Sequence, residues 1–210
     1  EAHPDHTVIS YVNTSAAVKA LTDVVVTSSN ARDIVETFDK DAKIIFGPDR
    51  NLGGYINSIT GRNMLLWDGA CHVHEQFSLE KIVELKKQYP EAKLLVHPEC
   101  KRVIVMLADK VGSTAALLNY AKSSDAKQFI VATESGILHQ MRKECPDKEF
   151  IAAPPVDSTC GCNDCNFMKL NTLEKLRNCL RDGKPEIHVD SRVAERARKP
   201  IERMLELSRK

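Results

Sequence analysis

Apolar positions along the chain fall into two alternating rhythms. Short runs, apolar on both sides, recur at Val8–Val12, Val24–Thr27, Ala42–Phe46, Met64–Trp67, Lys93–Val96, Lys110–Gly112, Gln128–Ala132 and Phe150–Ala152. Their length and two-sided character predict buried parallel strands. Amphipathic stretches lie between them. Ser78 is placed to cap "LEKIVELKKQY", Pro98 to open a helix running through Met106, and Asn171 with Glu174 has nearly the spacing of a capping box. A βαβα rhythm of this kind predicts an α/β architecture with parallel sheets. The last segment, "VDSRVAERARKPIERMLELSRK", is amphipathic and basic. It is expected to pack back on the body as a helix that Pro200 kinks or splits in two.

The rhythm repeats. At a spacing of 86 positions Asp23 falls on Asp109, Ser28 on Thr114, Ile44 on Ile130, Leu52 on Leu138 and Leu65 on Ile151. Strand then meets strand and helix meets helix. The expectation is two tandem pseudo-symmetric βαβα domains, residues 1–85 and 86–170, followed by a C-terminal helical tail, residues 171–210.

Each expected strand ends in small or reactive polar groups. Tyr11 and Asn13 end the first. Ser28 and Asn30 follow the second, Gly47-Pro48-Asp49 the third, and Cys71 lies beyond the fourth. The matching ends in the second half carry His97 and Glu99, then Ser113 and Thr114, then Thr133 and Glu134, then a cysteine trio. Ligands of open parallel sheets bind at the carboxyl ends of the strands, so two facing units would pool these groups in one cleft. Plainer roles exist for each one. Ser28, Ser113 and Thr114 suit helix N-caps, although a helix start also offers N–H groups to a phosphate or carboxylate. Tyr11 suits a core position with its hydroxyl satisfied. "HPE" at 97–99 suits a turn. His72 and His74 alternate with Cys71 and Val73 as they would in an extended segment.

Composition narrows the function classes. In 210 residues, 42% are hydrophobic and 28% charged, enough for a sizeable core. A net charge of +1 at pH 7 gives no strong pull toward nucleic acid or an anionic membrane. No apolar run reaches the ~18 residues of a membrane helix, and no secretion signal is visible. A cytoplasmic setting is expected. The chain opens with "EAHPDHTVISYVN", without Met, and reads as the continuation of something longer.

The seven cysteines are the sharpest chemical feature. In a reducing setting, clustered cysteines point to metal or redox chemistry rather than disulfides. Cys160, Cys162 and Cys165 form a C-x-C-x2-C trio. Zinc would need a fourth ligand, which Cys71, His72 or His74 could supply. An iron–sulfur cluster takes thiolates too, and a four-iron cluster on three cysteines leaves one iron open as a Lewis acid. A Cys162–Cys165 pair could instead cycle to a disulfide. Cys71 and the trio end the two repeat units, which favours one shared cluster over a local zinc knuckle. Cys145 and Cys179 lie in helical stretches and are expected to be structural. Cys100 has no counterpart in the first unit and is left out as a ligand. The competing functions are an iron–sulfur synthase, a zinc-binding or thiol-redox module with a structural C-x-C-x2-C site, and a metal-free phosphosugar-binding enzyme.

Longer motifs decide among these. "YVNTSAAVKALTDVVVTSSNA", "FGPDRNLGGYI", "GACHVHEQF", "HPEC", "VGSTAALLNYAK" and "CNFMKLNTLEKL" resemble the quinolinate synthase family, the A-type transferase of NAD biosynthesis, from about Val8 to Leu205. The resemblance implies three pseudo-symmetric α/β domains around a 4Fe-4S cluster, with one cysteine from each. It implies condensation of iminoaspartate with dihydroxyacetone phosphate into quinolinate, losing phosphate and two waters. A functional link to L-aspartate oxidase follows. On matching motifs, Cys71 and Cys165 are the metal ligands. Tyr11, Asn13, Ser28, His97 and Glu99 contact substrate, with Glu99 a general base or acid and Tyr11 and His97 beside it. Ser113 and Thr114 anchor a phosphate or carboxylate. The family's first domain has no counterpart here. Two of three domains are therefore expected, with the third cysteine supplied by the missing N-terminal domain and no turnover by this chain alone. Cys160 and Cys162 become accessory thiols, able to form a disulfide with each other or with Cys165 in competition with the cluster.

Overall fold

The computed structural model describes residues 2–157 and 163–209. The first half of the chain builds a four-stranded parallel sheet from β1 (Thr7–Tyr11), β2 (Val24–Val26), β3 (Ile44–Phe46) and β4 (Leu65–Leu66). Its helices are α1 (Ala16–Lys19), α2 (Ala31–Glu36) and α3 (Arg50–Thr60). The short α4 (His72–Glu75) and α5 (Leu79–Gln88) lead to a second sheet of β5 (Lys93–Val96), β6 (Lys110–Val111), β7 (Gln128–Ala132) and β8 (Glu149–Ala152). With it come α6 (Arg102–Val105), α7 (Thr114–Ser123) and α8 (Ile137–Glu144), and then α9 (Leu173–Asp182) and α10 (Ser191–Leu207).

All pairings within both sheets are parallel, and the strand orders match, β2-β1-β3-β4 and β6-β5-β7-β8. All eight expected strands are present, with β5 and β7 at their expected bounds and the others differing by one or two residues. The buried triplet Val24-Val25-Val26 and the run Phe129–Ala132 explain the unbroken apolar spelling, because both sheet faces are covered. The first sheet packs around Ile9, Phe46 and Ile56. The second has Ile82, Leu94 and Ile104 on one face and Leu117, Phe129 and Met141 on the other.

Register confirms most of the spacing and corrects one pair. Ile9 lies beside Val24 and Leu95 beside Lys110, in keeping with the expected spacing. In the third strands, however, Thr7 faces Ile44 while Lys93 faces Phe129. The structural counterpart of Ile44 is thus Phe129, not Ile130, because the second unit is one residue shorter before its third strand. The Asp23–Asp109 match is exact in bonding. Val8 N–H donates to Asp23 at 2.7 Å and Leu94 N–H to Asp109 at 2.8 Å, and each aspartate's own N–H returns to the same residue's carbonyl at 2.9 Å.

Several local expectations change. The helix expected from Pro98 begins only at Arg102, because the chain turns first, with Cys100 N–H on the His97 carbonyl at 3.0 Å. The cap of α9 is Thr172, whose hydroxyl accepts from Lys175 N–H at 3.2 Å, rather than Asn171. Residues 72–75 are helical, not extended. Pro200 neither splits nor ends α10, which runs on for 17 residues. Proline there forfeits one i→i−4 bond. Against that loss, Ala197 and Pro200 are buried, and Met204 and Leu207 pack on the first core. Among the described residues, no helix is long and apolar enough to cross a membrane.

Replacing Asp109 with Ala strands the fully buried Leu94 N–H and should cost about 1–3 kcal/mol, read from denaturant melts. Partial burial opposes the charge on Asp109, but Leu94 N–H, Lys86 and Lys93 outweigh it and hold its pKa below the ordinary carboxylate value. A depressed folded pKa gives stability that is complete above the unfolded value near ~3.9 and lost as pH falls through the folded one. The deficit of the Ala variant should therefore shrink in that acid range and stay constant at neutral pH.

Candidate functional site

The carboxyl ends of both sheets open into one cavity of about 1240 Å³. Tyr11, Asn13, Ser28, Cys71, His97, Glu99, Ser113, Thr114 and Cys165 all line it. A depression of about 1390 Å³ at the opposite ends of β5, β7 and β8 is lined by surface groups such as Glu91, Lys127 and Glu149, and none of the expected site residues reach it.

The strands aim these groups. Tyr11 is the last residue of β1, and its hydroxyl meets Ser28 Oγ at 2.8 Å. Ser28 Oγ donates in turn to Glu99 Oε1 at 3.4 Å, so the first sheet touches the second through a tyrosine–serine–glutamate chain. Ser28 is therefore not a helix cap. Asn30 precedes α2, and its side-chain oxygen accepts from Thr27 N–H at 2.7 Å. Ser113 does cap α7, accepting from Ala116 N–H at 3.3 Å, and Thr114 is the first residue of that helix. An N-cap serine and a free helix start together offer hydroxyl and N–H donors to an anion.

Glu99 is 7% exposed. Its Oε2 lies 3.2 Å from His74 Nδ1 and 4.0 Å from His97 Nδ1. The two imidazoles stack with centroids 4.4 Å apart, and His74 Nε2 meets Thr133 Oγ1 at 3.0 Å. Burial works against a charged His74, but the Cys71 thiol and the Glu99 carboxylate more than reverse this and hold its pKa up at about 9. His97 goes the other way. Burial, and then the charge on His74, push it down to about 4. Burial also raises Tyr11. For Glu99 burial is the largest influence and acts upward, yet the two histidines leave its pKa below the ordinary value. A carboxylate, one charged imidazole and one neutral imidazole thus share a dry pocket, an arrangement suited to moving protons.

Cys71 and Cys165 are half-buried free thiols on segments that follow different sheets. Cys71 Sγ, a His74 ring nitrogen and a Glu99 oxygen all lie within 4.8 Å of one another. His72, next to Cys71, meets the Phe167 ring edge-on at 5.2 Å, tying the two cysteine segments together. Two free thiols lining one cavity are the donor type that a thiolate-bound cluster takes. Cys160 and Cys162 lie outside the described residues. Cys100 is buried, and its thiol donates to the Ala132 carbonyl at 3.4 Å. Cys145 is a buried core thiol at the end of α8. Cys179 is only half-buried, on α9.

The chain matches the family model described as "Quinolinate synthetase A protein" over residues 1–206. It belongs to that family. It is 55% identical over 206 residues to the quinolinate synthase of Thermosynechococcus vestitus, which covers 98% of this chain and 65% of the relative. To the quinolinate synthase of Chloroherpeton thalassium it is 54% identical over 207 residues, covering 99% and 64%. The chain thus spans about 65% of the length of the curated relatives it matches.

Asp49 and Thr133 reach the cavity from strand ends, as expected, and His74 lines it beside Cys71, whereas Asn51 had no expected role there. Asp49 is 4% exposed and accepts Cys71 N–H at 2.6 Å, and burial holds its pKa up despite three N–H donors. Gly47 makes this placement feasible, since a Cβ there would lie 2.3 Å from Trp67 Cβ. Asn51 Nδ2 donates to the Glu99 carbonyl at 3.1 Å and to Glu75 at 2.6 Å, joining α3 to the "HPE" turn.

Thr133→Val removes the only hydroxyl facing His74 Nε2 among the described contacts. It should destabilise the fold by about 1–3 kcal/mol in denaturant melts, because the imidazole nitrogen is left buried without a partner.

Proposed function

We propose that this chain forms most of a quinolinate synthase, which condenses iminoaspartate with dihydroxyacetone phosphate into quinolinate with release of phosphate and two waters. The observation that carries this reading is the shared cavity, where cysteines from two sheets meet a buried Glu99–His74–His97 cluster. Cys71 and Cys165 would hold a 4Fe-4S cluster together with a third cysteine from an N-terminal region outside this chain. When bound, that cluster supplies a Lewis-acidic iron for dehydration.

The chain's own residues do the rest. Glu99 takes and returns protons next to the carbonyl and imine carbons, with its carboxylate held ionised between the two histidines. Tyr11 and Ser28 relay hydrogen bonds to Glu99 and, with Asn13, orient the substrate. His97, kept neutral by its surroundings, can both donate and accept. Ser113, Thr114 and the start of α7 receive the phosphate or a carboxylate. Residues 1–85 and 86–170 are read as two of three repeat units, with 171–210 as the tail.

One exposed face supports a further unit. Leu173, Leu176 and Leu180 lie along one stripe of α9 and are 86%, 56% and 79% exposed. In α5, the first long helix after Cys71, Ile82 is buried and Leu79 and Leu85 pack on the second sheet. By the same logic α9, the helix that follows Cys165, would pack on the next unit, the N-terminal region.

After anaerobic reconstitution with iron and sulfide, the complete enzyme should show broad visible absorption that Cys71→Ser abolishes. Under a local zinc site built on the trio, Cys71→Ser would leave the metal in place. With the cluster loaded, Glu99→Gln should lower quinolinate formation by ~10²–10⁴-fold. The 210-residue chain alone should not turn over, and robust turnover by it would refute the need for the further region.

A further inference from the structure

The third strand of each sheet is followed by an acid. Sheet register aligns Ile9 with Phe46 and Leu95 with Val131, so Asp49 and Glu134 each stand three residues beyond matched positions. The two carboxylates make matching bonds. Asp49 Oδ1 accepts the N–H groups of Asn51 and Leu52 at the start of α3, at 2.7 and 2.9 Å, while Oδ2 accepts Cys71 N–H at 2.6 Å. Glu134 Oε2 accepts the N–H of Gly136, at the start of α8, at 2.8 Å. Its Oε1 accepts Cys165 N–H at 3.3 Å. In both units one oxygen holds a helix start and the other holds a cysteine backbone.

The two cysteines stand well beyond their acids in the chain, Cys71 22 residues on and Cys165 31. Neither cysteine has regular structure to hold it. Cys71 precedes a four-residue helix, and Cys165 lies in a loop before a single 3₁₀ turn, Met168–Leu170. Bonds from N–H groups to a carboxylate are roughly twice as strong as neutral ones, and a ligand set works best when its backbone is fixed beforehand.

We propose that Asp49 and Glu134 are a matched pair of positioning residues, clasping the backbone of Cys71 and Cys165 so that both thiols are set toward one metal cluster. The part played by the cluster rests on the function proposed above, whereas the clasp does not.

Residue-resolved hydrogen–deuterium exchange on the metal-free chain tests the clasp. Glu134 is half-exposed, so Glu134→Ala should fold and should speed exchange of the Cys165 amide about tenfold, leaving Cys71 unchanged. Asp49→Asn keeps the shape but has a single acceptor oxygen. With two N–H groups of α3 competing for that oxygen, the Cys71 amide should be the one released. A faster Gly136 amide beside an unchanged Cys165 amide would reduce Glu134 to a helix cap and overturn the proposal. In the reconstituted complete enzyme, Glu134→Ala should lose iron to a chelator severalfold faster and shift the electron paramagnetic resonance of the reduced cluster. Faster exchange with unaltered iron loss and spectrum would overturn the positioning role. A wild-type enzyme that binds no iron would defeat the cluster part and the function proposed above, with exchange still deciding the clasp.

Discussion

Parallel pairing is the constraint from which the site follows. When every strand of a sheet runs the same way, all its carboxyl ends lie along one edge, and each connection must return over a face. The polar residues that end the strands are thereby delivered to one rim, while the apolar runs stay covered on both sides. Two such sheets, with the same strand order, turn these rims toward each other. Tyr11 and Ser28 from one sheet then reach Glu99 from the other, although 71 residues separate Ser28 from Glu99 in the chain.

Apolar side chains of Phe77 and α5 pack into the second core, and polar contacts add to this beside the cavity. Asn51 bridges Glu75 and the Glu99 carbonyl, and Arg50 lies 3.3 Å from Glu75. A short antiparallel bridge between Phe77 and Pro155 adds backbone bonds, from Ser78 N–H to Pro154 and from Val156 N–H to Gln76. Buried polar groups of this kind are costly unless paired, so the arrangement is specific about how the halves meet. It also fixes the electrostatics. One charged and one neutral imidazole can sit in stacking contact because Glu99 and Cys71 face only one of them closely.

Much of this was legible in the order of residues. The eight strands, the repeat, the caps at Ser78 and Ser113 and the location of every proposed site residue on one cavity all follow from local apolar rhythm and strand-end chemistry. The misreadings share a cause. Pro98 looked like a helix start because proline suits a first turn, but Glu99 is drawn toward Ser28 and His74, which lie far away in sequence. Residues 71–74 alternate as an extended segment would, yet they form a turn of helix once Asp49 holds Cys71 N–H. Pro200 is tolerated because its ring is buried against a neighbour that the tail's own sequence does not reveal.

The sequence by itself determined the parallel α/β architecture, the family and the chemical types gathered at the strand ends, because period and motif are local properties of the chain. Only the tertiary structure decided which groups touch. It placed His74 between Glu99 and Thr133, gave Asp49 and Glu134 the same pair of tasks, and shifted Ile44 from Ile130 to Phe129. These depend on sheet register and on how two sheets face each other. Both are set by long-range packing, for which neighbouring residues along the chain carry no signal.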